Sequence, residues 1–118
     1  MNMGSPVIHW QIITKDPEAH ASFYEKLFGW TIDGDNPLGY RQANTGSDRG
    51  IDGGFWPAPP EAPNFVQLHI EVGSVDDAWA QAEALGAKPL IPPQALPEGG
   101  RMAVMHDPQG VAFALVER

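Results

Sequence analysis

Apolar and polar residues alternate along 7–13, which is typical of a β-strand. The even positions, including Trp10, are all apolar and predict a face that packs on the core. The odd positions, His9, Gln11 and Ile13, are mixed and predict a cavity wall or a solvated face. The pattern therefore predicts a strand with one face buried in the core and the other face lining a cavity or exposed to solvent.

A helix is predicted to follow this strand. Asp16 can cap its first turn, Pro17 suits that turn, and Gly29 can end the helix in the left-handed conformation. Apolar residues recur at helical spacing and predict a buried stripe. The predicted stripe consists of Ala19, Phe23, Leu27 and Phe28.

Three short strands are predicted next, at 30–32, 40–44 and 51–56, because clusters of Gly, Asn and Asp separate these apolar runs. Four prolines then fall within 57–63. Such a segment cannot be helix or central strand, so it predicts an extended linker.

The second half repeats this plan. A strand is predicted at 65–72, with His69 and Glu71 on one face. A helix capped by Asp76 and ended by Gly86 should follow. Its predicted apolar stripe consists of Val75, Ala78, Trp79, Ala82 and Leu85. Three more strands are predicted at 89–91, 102–106 and 111–116, the last two joined by a turn at 107–110.

Matched spacing supports an internal duplication. His9 lies seven residues before Asp16, and His69 lies seven residues before Asp76. The simplest interpretation is one domain, 1–118, built from two strand–helix–three-strand modules. Module one covers about 7–56, the proline-rich linker 57–63, and module two about 65–117.

Composition excludes several classes of function. The 118 residues contain no cysteine, so disulfides, thiolate metal sites and cysteine nucleophiles are absent. The net charge of −8 would repel a nucleic-acid backbone, so no nucleic-acid partner is expected. No apolar run approaches the ~20 residues of a membrane helix. With no leader pattern in 1–6, a cytoplasmic protein without membrane partners is expected.

Three stretches resemble a known superfamily: 23–30 (FYEKLFGW), 69–72 (HIEV) and 107–110 (DPQG). Their order and spacing are similar to the vicinal oxygen chelate (VOC) superfamily, which contains glyoxalases, bleomycin resistance proteins and extradiol dioxygenases. Short proteins related to lactoylglutathione lyase are the branch that looks most similar. The resemblance implies an α+β fold in which two tandem βαβββ modules form a curved mixed sheet around a cup. It also implies a homodimer.

The resemblance further implies where metal ligands would stand. His9 and His69 fall on the first-strand ligand positions of the two modules. The last-strand position of module two, a glutamate in the family's metal enzymes, is Ala114 here. The corresponding position of module one falls on Gly53 or Gly54. This sequence therefore keeps two histidines and lacks both carboxylates, which disfavours glyoxalase and extradiol dioxygenase chemistry.

The leading prediction is a glyoxalase- or bleomycin-resistance-like protein that binds a small organic molecule in the cup, with no cofactor and no assigned reaction or catalytic residue. One of two neighbouring aromatics, Phe55 or Trp56, is expected to stack on the ligand. The predicted pocket consists of His9, Gln11, Phe55, Trp56, His69, Glu71 and Ala114.

The alternative prediction is a metal-dependent lyase, isomerase or extradiol-type dioxygenase. In that case His9 and His69 bind zinc, nickel or iron with a non-standard carboxylate. Glu71 is the first candidate because it shares a strand face with His69, and Asp52 is the second.

Overall fold

The computed structural model describes residues 4–34, 39–97 and 99–118. Each half of the chain has the element order strand, helix, three strands, as predicted. Module one consists of β1 (Val7–Thr14), α1 (Pro17–Phe28), β2 (Thr31–Asp33), β3 (Arg41–Asn44) and β4 (Gly53–Pro57). Module two consists of β5 (Phe65–Glu71), α2 (Val75–Ala84), β6 (Lys88–Ala95), β7 (Arg101–His106) and β8 (Ala112–Glu117).

Strand order confirms the duplication. Module one has the order β2-β3-β4-β1, and module two has the equivalent order β6-β7-β8-β5. In each module the first strand runs parallel to the last one, and the remaining pairs are antiparallel. Contacts group 9–66 into one compact unit, and 67–118 with the segment up to Ile8 into the other.

Helix α1 begins and ends where the sequence predicts, but its buried face differs. Asp16 accepts a hydrogen bond from the Ala19 amide at 3.1 Å, and Gly29 ends the helix at a φ of 75°. The predicted apolar stripe is wrong, because Phe23 and Leu27 are 58% and 59% exposed. All four predicted stripe residues face outward, while the face turned to the sheet carries His20, Ala21 and Tyr24.

Helix α2 starts two residues earlier than the predicted cap implies. Ser74 is the cap, and its hydroxyl accepts from the Asp77 amide at 3.2 Å. The predicted cap, Asp76, instead lies in the first turn, where its carboxylate accepts from Arg101 at 2.8 Å. Asp16 and Asp76 are therefore not equivalent caps, so the matched seven-residue spacing does not support the duplication. Element order and strand order support it instead. The predicted stripe is confirmed except for Leu85, which is exposed.

Each module has its own core beneath its own helix. The module one core consists of Ile12, Ala21, Ala43 and Phe55, joined by Trp10, Tyr24, Trp30 and Ile32. The module two core consists of Val75, Ala87, Ala103, Met105 and Leu115, joined by Val72, Ala78, Trp79, Ala82 and Phe113. The sequence correctly predicts that Trp10 packs on the helix side of β1.

Hydrogen bonds connect the proline-rich linker and the residue that follows it to module one. Pro57 still belongs to β4, and the Ala58 amide donates to the Thr14 carbonyl at 2.8 Å. Farther along, the Asn64 side chain accepts from the Lys15 amide at 3.0 Å. These bonds hold the segment against the end of β1 although its own backbone forms no regular ladder. Within the described part of the chain, no helix is long and apolar enough to cross a membrane.

Candidate functional site

Side chains on the face of module one turned away from α1 form the candidate site, which we call the far face. The parallel pairing of β1 with β4 sets Gln11 beside Gly54, and Ile13 beside Trp56. Neighbouring positions alternate, so the side chains packed on α1 and those on the far face come from successive residues. The far face carries His9, Gln11, Ile13, Tyr40, Gln42, Gly54 and Trp56.

The two consecutive glycines of β4 point to opposite faces. A Cβ on Gly53 would overlap the Trp10 ring in the core, whereas a Cβ on Gly54 would overlap the Tyr40 ring on the far face. The resemblance implies a ligand position at Gly53 or Gly54, and Gly54 is the one of the two that lies on the far face. A carboxylate could not stand there without displacing Tyr40.

Tyr40 is the site residue that the sequence analysis missed. Its hydroxyl lies 3.4 Å from Nε2 of His9, and its ring centre lies 5.4 Å from that of Trp56. Burial raises the pKa of the Tyr40 phenol above its ordinary value, because the charged phenolate loses solvation. The phenol stays neutral at physiological pH and can donate a hydrogen bond. Alternation along 40–44 was the available signal, since it places Tyr40 on the same face as Gln42.

Gln11 is the buried polar member of the far face. The residue is 7% exposed, and its Oε1 atom has no hydrogen-bond partner among the described residues. Its neighbours His9 and Tyr40 are only half-buried, and Trp56 is more exposed. The far face therefore has an accessible aromatic edge and a buried amide that can still accept a hydrogen bond.

The corresponding face of module two carries His69. This histidine is buried, and its Nε2 lies 3.4 Å from the amide nitrogen of Gln67, which is also buried. Ala114 pairs with His69 across the parallel β5–β8 ladder and is fully buried. The resemblance implies ligand positions at His69 and Ala114 on the first and last strands of module two, and these two strands are paired here.

The two candidate carboxylates already have other partners. Glu71 lies 3.5 Å from the guanidinium of Arg118, and that pair lines a shallow cavity with Gly4, Ser5, Pro6, Val72 and Gly73. Asp52 accepts hydrogen bonds from the amide and hydroxyl of Thr45 at 3.0 and 3.3 Å. In the ranges that the structure describes, no three His, Asp or Glu residues are grouped as metal ligands. The family's metal set therefore does not fit the residues present.

Phe55 has a role in packing, as does His20, which the sequence analysis did not single out. Phe55 is fully buried beneath α1, so Trp56 is the aromatic of that pair on the far face. The reason is the register, which pairs Phe55 with the core residue Ile12. His20 lies on the helix side, where its Nδ1 is 2.9 Å from the Thr14 hydroxyl.

Comparison with known proteins identifies the family. The model of the glyoxalase-like domain matches residues 9–116. The chain therefore belongs to the glyoxalase-like domain family, within the VOC superfamily. It is 30% identical to "Putative glyoxylase CFP32" of Mycobacterium bovis over 99% of this chain and 46% of that protein. The same values hold for its counterpart in Mycobacterium tuberculosis, so the chain spans about half the length of these relatives.

Solved structures confirm the fold. Methylmalonyl-CoA epimerase from Mycobacterium tuberculosis superposes with a TM-score of 0.63 at 18% identity, covering 99% of this chain and 92% of that one. A Mn(II)-bound glyoxalase from Novosphingobium aromaticivorans also gives a TM-score of 0.63, at 21% identity, covering 97% and 38%. Identities this low establish the shared architecture alone.

Packing between Gly54 and Tyr40 gives a first prediction. Gly54→Ala should lower the free energy of unfolding by about 1–3 kcal/mol, because its Cβ would meet the Tyr40 ring. In the Tyr40→Ala background the same change should cost much less. Urea unfolding of the wild type, the two single variants and the double variant measures the coupling between positions 40 and 54. Gly50→Ala is the control, since nothing lies within 4 Å of that Cβ. Additive effects of the two substitutions would contradict the described contact.

The raised pKa of Tyr40 gives a second prediction. Free tyrosine ionises near pH 10, so above that pH the unfolded state loses the Tyr40 proton before the folded state does. The stability that Tyr40 contributes through this difference is complete below about pH 10 and is lost as the pH rises through the folded pKa. Absorbance titration at 295 nm of the wild type minus Tyr40→Phe should show a midpoint above 10. A midpoint at or below 10 would contradict the burial argument.

Proposed function

We propose that this protein binds a small organic molecule on the far face of module one, in the manner of a glyoxalase- or bleomycin-resistance-like binder. The observation that carries the proposal is the buried Gln11 amide with a free acceptor, beside the His9–Tyr40 pair. A buried polar atom without a partner costs free energy, and a bound ligand can supply the missing hydrogen bond. For module two by itself, His69, Ala114 and Glu71 remain proposed pocket residues.

The relatives support a small-molecule function without fixing a reaction. One solved neighbour is a methylmalonyl-CoA epimerase in complex with methylmalonyl-CoA, another is a Mn(II)-bound glyoxalase, and the curated relatives carry a glyoxylase name. The resemblance implies carboxylate ligands at Ala114 and at Gly53 or Gly54, and none of these residues carries a carboxylate. Binding is therefore favoured over the family's metal-assisted chemistry.

Trp56 should contribute stacking to ligand binding. In a thermal-shift screen of small aromatic molecules, hits should stabilise the wild type, by about 2.7 kcal/mol at 100 times Kd. Trp56→Ala should weaken those hits roughly tenfold, and Trp56→Phe should retain most of the affinity because it keeps an aromatic face. A screen without any hit would contradict the proposal, as would hits that bind Trp56→Ala with wild-type affinity.

The alternative, a metal-dependent lyase, isomerase or dioxygenase, is favoured by the retained histidines His9 and His69. Two imidazoles hold a divalent metal weakly, so we expect sub-stoichiometric metal after incubation with zinc, nickel, manganese or ferrous iron and dialysis. Mass spectrometry of the metal content measures this. A stoichiometric metal that is lost in His69→Ala and in Glu71→Gln, but retained in Gln67→Ala, would support the alternative instead.

We further propose a homodimer that uses the exposed apolar surface of α1. Phe23, Leu27 and Phe28 are each more than half exposed there. Contiguous apolar surface of this kind is typical of interfaces. A second copy of this chain is the proposed occupant of this surface.

Light scattering at micromolar concentration should therefore give twice the mass of 12.8 kDa. The double substitution Phe23→Ser with Leu27→Ser should halve that mass, because it removes apolar area from the contact. Leu85→Ser, at another exposed leucine on module two, should leave the dimer intact. A monomeric wild type would overturn the dimer proposal.

A further inference from the structure

We propose that the far face of module one selects uncharged, planar molecules that present a hydrogen-bond donor, such as an aromatic amide, and that Gln11 determines this specificity. The inference rests on the proposed binding function and deepens it by naming the class of ligand. Four observations on the far face lead to it.

The first observation is the accepting atom. Gln11 is 7% exposed, and Oε1 lacks a hydrogen-bond partner among the described residues. A ligand N–H or O–H that reaches this oxygen gains a hydrogen bond in a site with little water to compete for it. A ligand of the same shape without a donor leaves the oxygen unpaired, so it forgoes that gain.

The second observation is that the described strands of module one place no lysine or arginine on the far face. Within the four strands of module one, Arg41 is the sole lysine or arginine. Arg41 pairs with the core residue Phe55, so it points to the α1 side. There its Nη1 donates to the Gly34 carbonyl at 3.1 Å, and its Nη2 lies 3.9 Å from Glu18. An anionic ligand on the far face would therefore lack a guanidinium or ammonium partner from these strands.

The third observation is the neutral phenol. The Tyr40 hydroxyl lies 3.4 Å from Nε2 of His9, and burial raises the pKa of this phenol further above neutral pH. A neutral hydroxyl can accept or donate one hydrogen bond, but it adds no charge that would attract an ion. The whole chain carries a net charge of −8, which adds a repulsive field for anions.

The fourth observation is the shape of the surface. The rings of Tyr40 and Trp56 lie 5.4 Å apart at an interplanar angle of 50°. Gly54 adds no side chain between the strands, and the Tyr40 ring lies over its Cα. The Tyr40 and Trp56 rings provide apolar contact area for a flat ring, and Gln11 lies on the neighbouring strand, where it pairs with Gly54.

Matched probes test this inference on the intact chain. Benzamide and 2-naphthamide carry a hydrogen-bond donor. Methyl benzoate and methyl 2-naphthoate have a similar shape without a donor, and benzoate and 2-naphthoate carry a negative charge. Binding is measured by protein-observed NMR titration at millimolar probe concentration. We expect each amide to bind about tenfold more tightly than its ester or its carboxylate.

Two substitutions at position 11 identify the residue responsible. Gln11→Met removes the acceptor at similar size, so the amide and ester should then bind within about twofold of each other. Gln11→Glu keeps an acceptor, so the amide should keep its preference over the ester. Unfolding in urea, compared with the wild type, shows that each variant is folded before it is titrated.

The outcomes separate this inference from the function on which it rests. Equal binding of amide and ester to the wild type, with both lost in Trp56→Ala, would overturn the donor specificity and leave the binding function standing. Tighter binding of the carboxylates would also overturn it. If no probe binds at any concentration tested, the inference is overturned, and the broader screen described for Trp56 decides the function separately.

Discussion

The parallel pairing of β1 with β4 is the constraint on which module one depends. It sets Trp10 against Gly53 and Gln11 against Gly54, so the first pair belongs to the core and the second pair belongs to the far face. The core side needs glycine because the Trp10 ring occupies the space of a side chain at position 53. A shift of one residue would exchange the two faces, bury Gln11 under α1 and expose the core. Packing of the aromatic core therefore fixes the position of every polar group on the far face.

On the far face, an aromatic side chain covers Gly54, one of the two glycines at which the resemblance implies a ligand position. Tyr40 covers Gly54 and reaches His9, so the space near that histidine is filled by a phenol. On module two, Ala114 beside His69 provides no donor atom. The two histidines remain, but their surroundings on each module are amide, phenol and aliphatic groups. Such surroundings suit hydrogen bonding and stacking better than they suit a divalent cation.

Much of this arrangement follows from the sequence, and the exceptions have physical causes. Alternation in β1 correctly separates Trp10 from Gln11, and the cap at Asp16 is found as predicted. The predicted buried stripe of α1 is wrong because its most apolar residues, including Phe23 and Leu27, do not face the sheet. The helix instead turns Tyr24 and His20 toward the core, where their rings contact Phe55. Amphipathic rings can fill a core and leave more apolar residues outside for a partner.

Features that depend on contacts distant in sequence could not be predicted from local patterns. Alternation along 40–44 places Tyr40 on the face of Gln42, but Tyr40 becomes a site residue only because β3 pairs with β4. The lack of a described hydrogen-bond partner for Oε1 of Gln11 likewise results from burial by the fold and not from its neighbours in sequence. In contrast, the Asp107 turn is local, with its carboxylate bonded to the amides of Gln109 and Val111, and it was predicted correctly.

The central claim is that the far face of module one binds a small molecule. The most direct measurement is a ¹⁵N-labelled NMR titration of the chelator-treated protein with a hit from the screen. The side-chain amide of Gln11, the indole N–H of Trp56 and the backbone amide of Gly54 would be assigned. The account predicts that these three signals shift together along one saturating curve. Shifts confined to α1 or α2, or shifts that require added metal, would contradict it.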